Sequence, residues 1–296
     1  MPKLPELRTS LLLPALLLLN LLLTATAGAD VTTATQAMEN PTNPLLHMRT
    51  SRGDVFLELF PAAAPRNVAN FVALANAQVP MFDVTTGTTV SPHYYDGLSV
   101  HRVLPYFLIQ SGAPRQAGAP VPEYQLDDEI NASLLGLDQI KVLDEGGTPH
   151  PWLNLQDNED FQQEILAPLY RRMGITSPEM LETRQTAVLS ALRELTLQQA
   201  YENQGYRYNT RLPSLQPVRG SIAMAGSGPN TNQAEFFITT VDAPWLAGKS
   251  TIIGRVVEGM DIVDRINQSA VMRGNSTTPT ANSGTMIFDI RQVNLQ

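Results

Sequence analysis

The sequence predicts a mainly β chain that carries an α-helical insertion. Short apolar runs, some with strand-type alternation, occur before residue 131 and again after residue 217. Between them, residues 131–217 carry helix start and stop signals instead. The 296 residues are 43% hydrophobic and 16% charged, enough for a sizeable core and unlike a disordered chain. Such a length corresponds to one large domain or two smaller ones.

Composition and charge exclude several classes of function. The net charge of −8, with no basic stripe, argues against nucleic acids and anionic membrane surfaces as partners. The absence of cysteine removes disulfides, thiolate nucleophiles, iron–sulfur clusters and Cys-ligated zinc. The four histidines are scattered and form no HExxH-like pair. No metal site and no cofactor are therefore predicted.

The N-terminus has the pattern of a secretory signal peptide. Two basic residues precede an apolar run over residues 11–23, which is shorter than the roughly 20 residues that a bilayer span needs. Ala27-x-Ala29 then matches a small-residue cleavage site. We expect residues 1–29 to be removed after Ala29, which predicts a periplasmic or secreted protein without stable membrane insertion. An uncleaved anchor or a buried helix is the alternative.

The next segments are predicted to form a lead-in, a hairpin and a helix. Residues 30–45 are rich in Thr, Ala, Asn and Pro without periodicity, which predicts a flexible lead-in. Residues 46–50 and 55–60 flank a turn and predict a β-hairpin. Pro65 lies near the start of a predicted helix, where its missing N–H costs nothing. One apolar stripe follows at helical spacing, made of Val68, Phe71, Val72 and Ala75.

The remaining β-type runs are short. A small hairpin is predicted around Gly87, and a second helix is predicted from Met260 to Ile266. Further strands are predicted at 99–104, 107–110, 221–225, 236–240, 251–257 and 286–293.

Two helical stretches are predicted within the insertion. Asp157 is expected to cap the first, which Pro168 should kink or split. Ser177-Pro178 combines an N-cap hydroxyl with proline at the first helical position, and the second helix should continue to Gly205.

Four motifs, in this order, carry a specific resemblance. They are HRVLPYFLIQSG at 101–112, GSIAMAGSGPNTNQAEFFIT at 220–239, WLAGK at 245–249 and IIGRVVEGMDIVDRI at 252–266. Together they closely resemble the cyclophilin family of peptidyl-prolyl isomerases, here of a bacterial periplasmic type with a large helical insert.

The resemblance implies a fold and a division of the chain. It covers 46–130 and 218–294, so residues 46–130 plus 218–296 should form the cyclophilin-like unit. That unit is expected to be a closed eight-stranded antiparallel barrel capped by two helices, with a substrate groove on its outer face. Residues 131–217 lie outside the resemblance as the helical insert.

The resemblance also implies the chemistry and the site. Isomerisation of an X–Pro bond needs no nucleophile, metal or cofactor, but it favours a donor aimed at the proline nitrogen. Arg102 matches that donor, and the catalytic set is Arg102, Phe107 and Gln110. The implied substrate-binding residues are Leu108, Ala225, Gly226, Glu235, Phe237, Trp245 and Leu246. Proline-containing unfolded or extended polypeptides are the expected partners, and Trp245 matches a site associated with cyclosporin-like ligands.

The sequence departs from the family at four groove positions. Leu108 replaces the usual methionine, Gly226 an asparagine, Glu235 a glutamine and Ser250 a histidine. Glu235 is hypothesised to reach Arg102, directly or through water. His101 is expected to be structural, with its side chain on the face opposite Arg102.

The sequence leaves two functions open. The first is an active isomerase that assists the folding of envelope or secreted proteins. The second is a non-catalytic chaperone or scaffold that grips proline-containing segments and acts through the insert. The presence of Arg102 favours the first, since a pure binder would tolerate its loss. The insert itself is either a helical decoration of the barrel or an arm that binds clients.

Overall fold

The computed structural model describes residues 29–114, 118–271, 280–281 and 284–295. The predicted signal peptide lies outside these residues, apart from its last position. Within the described ranges, no helix is both long and apolar enough to cross a membrane.

The segment predicted to be a flexible lead-in contains a capped helix instead. Helix α1, Val31–Ala37, begins where the Asp30 carboxylate accepts hydrogen bonds from two backbone N–H groups. Its Ala34 is fully buried against the apolar side chains of Leu45 and Phe56. Burial against a distant part of the chain therefore orders a segment that lacks helical periodicity.

The predicted hairpins and the first core helix are present. Strands β1, Leu45–Thr50, and β2, Gly53–Leu59, pair antiparallel, and helix α2 spans Pro65–Ala75. The N-cap Ala64 of α2 has no side-chain hydrogen bond, so the Glu129 carboxylate accepts from the first free N–H groups of the helix instead. The next strands are β3, Met81–Asp83; β4, Thr88–Val90; β5, Arg102–Leu104; and β6, Leu108–Ser111.

The insert is helical, but its helices are shorter and more numerous than predicted. It contains a 3₁₀ turn Pro151–Leu153, α3 Asn158–Phe161, a π-helical turn Gln162–Leu166, α4 Ala167–Arg172, α5 Pro178–Thr183, α6 Gln185–Glu194 and α7 Leu197–Gln204. Pro168 lies in the first turn of α4, where the π-helical turn accommodates its missing N–H. The single helix predicted up to Gly205 is wrong: it breaks at Arg184 and again where Thr196 caps α7.

The chain then returns to the sheet. Its last elements are β7 Ser221–Met224, β8 Phe236–Thr239, a 3₁₀ turn Pro244–Leu246, β9 Ile252–Glu258, α8 Met260–Val271, β10 Thr280–Ala281 and β11 Ile287–Gln292. The described strands form one antiparallel sheet in the order β10-β5-β6-β8-β7-β9-β2-β1-β11, and β3 and β4 pair separately.

The expected closed eight-stranded barrel is corrected by this strand order. The sheet has nine strands among the described residues, and its two end strands, β10 and β11, share no ladder. The segment before β5 meets the β11 region through separate backbone bonds, in which Val100 N–H donates to the Thr285 carbonyl and Ile287 N–H donates to the Leu98 carbonyl. The sheet is therefore open, because these bonds do not extend into a continuous ladder between its two ends.

The two largest of the four apolar clusters among the described residues are the main cores. The larger lies between the sheet and helices α2 and α8, and it includes Phe71, Phe236 and Ile266. The smaller fills the insert, but it also takes in Ala247, which follows the 3₁₀ turn Pro244–Leu246. The insert therefore shares its core with the sheet-bearing part of the chain.

Candidate active site

Most of the predicted site residues surround one cavity of about 270 Å³ beside strands β5, β6 and β8. Eight of the ten line it: Arg102, Phe107, Leu108, Gln110, Ala225, Gly226, Phe237 and Leu246. The two others lie next to it. The Trp245 ring lies 5.5 Å from the Phe107 ring, and Glu235 contacts Gln110.

Strand pairing brings the predicted arginine and glutamine together. β5 and β6 are antiparallel, with Arg102 directly opposite Gln110 in the ladder. The Arg102 guanidinium donates a hydrogen bond of 3.0 Å to Oε1 of Gln110. This bond uses one donor of an exposed side chain, so the rest of the guanidinium fork is free to meet a ligand.

A second bond ties Gln110 to Glu235. The amide Nε2 of Gln110 donates to Oε2 of Glu235 at 2.8 Å. The link between Glu235 and Arg102 was hypothesised to be direct or water-mediated, and in the structure it runs instead through the Gln110 amide, which accepts from Arg102 and donates to Glu235.

His101 also lies beside this carboxylate, which corrects its expected position on the opposite face. Its Nε2 is 3.4 Å from Oε2 of Glu235. Regular strand alternation begins only at Arg102, so it does not fix where His101 points. The hydrogen bond from His101 lowers the pKa of Glu235, and this outweighs the burial of the half-buried carboxyl, which raises it.

The floor of the cavity is apolar. Leu108 and Phe237 are buried, and Phe107 and Leu246 pack against the same cluster. Alternation along β8 puts Phe236 into the main core and leaves Phe237 to the cavity, as its sequence position predicts. A ring-sized apolar ligand group can therefore be desolvated here, directly beside the charged Arg102.

The rim is formed by main chain at Ala225 and Gly226. A Cβ at Gly226 would lie 2.6 Å from the Thr231 hydroxyl oxygen, so the glycine found in place of the family's asparagine fits a crowded loop. Ala225 N–H donates to the backbone carbonyl of Glu235 at 2.9 Å, which fixes the rim against the residue before β8.

Asp128 holds the loop behind this rim, and sequence reasoning did not identify it. Its carboxylate accepts from Asn230 N–H, from the Asn232 amide and from the Thr251 hydroxyl. Burial raises the pKa of Asp128. The sequence signal was the acidic run 127–129 before the insert, whose partners lie about a hundred residues further along the chain.

Seven further residues line the cavity: Leu104, Tyr206, Met224, Gly228, Asn232, Lys249 and Ser250. Tyr206 belongs to the insert, and no local pattern marked it as a groove residue. Across the described ranges, no cluster of His, Asp or Glu side chains could hold a metal ion.

Comparison with known proteins shows the family of this chain. Residues 45–287 match the model of the family described as cyclophilin type peptidyl-prolyl cis-trans isomerase/CLD. Peptidyl-prolyl cis-trans isomerase B of Streptomyces anulatus is 28% identical over 221 residues, 74% of this chain and 81% of that protein. Peptidyl-prolyl cis-trans isomerase ppi1 of Schizosaccharomyces pombe is 26% identical over 221 residues, 75% of this chain and 83% of that protein.

One group of solved structures is also similar. The crystal structure of a cyclophilin type peptidyl-prolyl cis-trans isomerase from Cryptosporidium parvum covers 86% of this chain and 99% of its own, at 20% identity and a TM-score of 0.46. With the family model spanning most of the sequence, this chain belongs to the cyclophilin-type peptidyl-prolyl cis-trans isomerases.

Proposed function

We propose that the chain accelerates X–Pro isomerisation in folding envelope or secreted proteins, with Arg102 as the donor to the proline nitrogen. The observation that carries the proposal is the Arg102–Gln110 bond of 3.0 Å at the edge of an apolar cavity formed by Phe107, Leu108, Phe237 and Leu246. A charged donor and a ring-sized apolar pocket are the two features that the reaction needs side by side.

The barrier explains why this pairing is useful. Rotation about an X–Pro bond crosses about 18–20 kcal/mol because the amide loses its resonance in the twisted state. The proline nitrogen then carries a lone pair that it lacks in either ground state. A donor aimed at this nitrogen binds the twisted state more strongly than the planar ones, and this differential binding is catalysis.

Arg102 accounts for part of the acceleration. A hydrogen bond from a charged donor contributes about 1.5–3 kcal/mol, or roughly 10- to 150-fold in rate. The apolar pocket supplies a second contribution by excluding water and holding the proline ring.

The alternative of a non-catalytic binder receives less support. Apolar packing alone would hold a proline ring and would leave Arg102 and Gln110 without a role. The hydrogen-bonded series from Arg102 through Gln110 to Glu235 positions a donor, which a binder does not require.

An isomerisation assay on residues 30–296 tests the proposal. Arg102→Ala should lower kcat/KM for a tetrapeptide by roughly 10- to 150-fold while the unfolding transition stays in place. Arg172→Ala, at an exposed arginine of the insert, is the matched control and should retain activity. Near-full activity of Arg102→Ala would contradict the assigned role.

Cyclosporin-like ligands are proposed to bind the same groove weakly. Trp245 and Phe107 favour binding through their contacting rings, whereas Ser250 and Leu108 remove contacts that the usual family residues make. The affinity should therefore fall below that of a family member that keeps the histidine. Calorimetry that finds no binding at high micromolar drug would contradict this.

The envelope or secreted location is proposed from the N-terminal sequence. A basic start, a short apolar run and Ala27-x-Ala29 are the features of an export signal. N-terminal sequencing of the protein from cells tests this, with Asp30 expected as the first residue. An N-terminus that retains the apolar run would contradict cleavage.

A further inference from the structure

The insert contributes a side chain to the isomerase groove. Tyr206 lines the same cavity as Arg102 and Phe237. Gly205 ends helix α7 with a φ of +111°, a conformation that glycine adopts readily. This turn directs the chain from the insert's helix toward the groove.

The neighbours of Tyr206 limit where it can lie. Gly205, on one side, lies near Pro229, since a Cβ at Gly205 would be 3.6 Å from the proline ring. On the other side, the Tyr208 hydroxyl donates 2.8 Å to the carbonyl of Gly248. The ring of Tyr206 also packs 6.2 Å from that of Tyr201. The neighbours of Tyr206 in sequence thus lie against Pro229 on one side and Gly248 on the other, and Tyr206 itself packs against other tyrosines of the insert.

Tyr206 lies in the same cavity as a residue that departs from the family pattern. Ser250, which stands where the family has a histidine, lines the same cavity. A serine side chain is smaller than a histidine, and an aromatic side chain from the insert lines the same cavity.

No described residue forms a hydrogen bond with the hydroxyl of Tyr206, although the side chain is half-buried. Burial raises the pKa of Tyr206 to about 12, so the group remains a neutral donor throughout the physiological range. A half-buried donor without a partner gains from a ligand acceptor.

We propose that Tyr206 is a specificity-determining residue of the groove, which packs its ring against an apolar side chain adjoining the proline and donates its hydroxyl to a main-chain carbonyl of the substrate. This inference rests on the proposed function and deepens it. The preferred substrates are X–Pro–Y segments with a large apolar residue next to the proline.

Two series of peptides distinguish the contribution of the Tyr206 ring from that of its hydroxyl. The residue before and the residue after proline are varied in turn among Phe, Leu, Ala and Gly in a tetrapeptide, and kcat and KM are measured. Tyr206→Phe should raise KM by about 2- to 10-fold for all peptides, the effect of one neutral hydrogen bond, and leave kcat nearly unchanged. Tyr206→Ala should also reduce the preference for Phe or Leu over Gly to within about twofold, since the ring that packs against the apolar residue is removed.

Controls distinguish packing from specificity. Tyr170→Phe alters an insert tyrosine outside the cavity and should leave all constants unchanged. The melting temperature of each variant shows whether the insert stays folded. If folded Tyr206→Ala keeps the wild-type preference at both positions, the inference is overturned.

Failure of the proposed function can be recognised separately. If the wild type isomerises no peptide, binding of the same series is measured by NMR titration. Weaker and less selective binding by Tyr206→Ala then upholds the role of Tyr206 although catalysis is absent. Equal binding by both proteins, or no binding by either, overturns it.

Discussion

At the scale of single residues, Glu235 determines which way the Gln110 amide faces. A carboxylate only accepts hydrogen bonds, so Nε2 of Gln110 must face Glu235 and Oε1 must face Arg102. A glutamine at position 235 could donate or accept and would leave this orientation less restricted. We therefore infer that Glu235 is a positioning residue that acts on Arg102 through Gln110.

Glu235→Gln should keep the fold and lower turnover modestly, by less than about tenfold, because Gln110 can then flip. The pH dependence provides a second readout. The hydrogen bond from His101 lowers the pKa of Glu235 from 4.5, so the stabilisation is fully present above that value. It is lost as the pH falls through the lowered pKa, and the difference between wild type and variant should disappear there.

Turnover and urea unfolding measured from pH 3 to 8 test this role. Glu182→Gln, at an exposed glutamate of the insert, serves as the control and should match the wild type throughout. A large gain in activity for Glu235→Gln would instead mean that the carboxylate competes with substrate for the arginine.

At the scale of elements, a buried carboxylate anchors the start of the chain. Glu58 on β2 is fully buried and accepts from Glu39 N–H, from Asn40 N–H and from the Asn43 amide. The Arg255 guanidinium on β9 donates to it as well, at 3.2 Å. The segment after α1 is thus held by polar contacts to the sheet as well as by the apolar burial of Ala34.

Glu58→Gln should lower the free energy of unfolding by about 1–3 kcal/mol, since the amide removes one acceptor and the charge that faces Arg255. Urea denaturation measures the loss. Glu145→Gln, at an exposed glutamate without side-chain hydrogen bonds among the described residues, should change it by less than about 0.5 kcal/mol. Equal stability of the two variants would show that the Glu58 contacts contribute nothing.

At the scale of the whole molecule, the insert supports the groove directly. The 3₁₀ turn that carries Trp245 and Leu246 is followed by Ala247, which is buried in the core of the insert. Gly248 lies so close that a Cβ would be 2.4 Å from Leu137 and 3.2 Å from Tyr201. The two earlier interpretations of the insert, decoration and client arm, stay predictions, and this contact adds that the insert packs against the segment next to the cavity.

Gly248→Ala should therefore disturb the groove from the insert side. Gly147→Ala is the matched control: the φ values are +83° and +82°, but a Cβ at Gly147 meets nothing within 4 Å. Both carry a left-handed strain of roughly 1–2 kcal/mol, and only Gly248→Ala adds the clash. We expect a further loss of about 1–3 kcal/mol in unfolding free energy and a raised KM for Gly248→Ala alone.

Unfolding curves and peptide kinetics for the two alanine variants decide this. If both lose equal stability and retain wild-type KM, the insert does not support the groove. In that case the removal of residues 133–216 should leave tetrapeptide turnover intact, whereas the shared core predicts that it falls.

The sequence alone determined the family, most strands and eight of the residues that line the cavity. Alternation separated Phe236 from Phe237, and the motif around Arg102 identified both members of the arginine–glutamine pair. These features could be predicted because strand periodicity and compact motifs are local properties, which depend on residues within a few positions of one another.

Only the tertiary structure decided the contacts made across long stretches of chain. Tyr206 enters the groove, Glu58 orders the lead-in, and the strand ends approach without a continuous ladder. Each depends on partners that no local propensity encodes, such as the carboxylate of Glu58 and the N–H of Glu39, 19 positions away. Packing selects such partners, because buried polar groups must be paired and apolar faces must be covered wherever the fold brings them together.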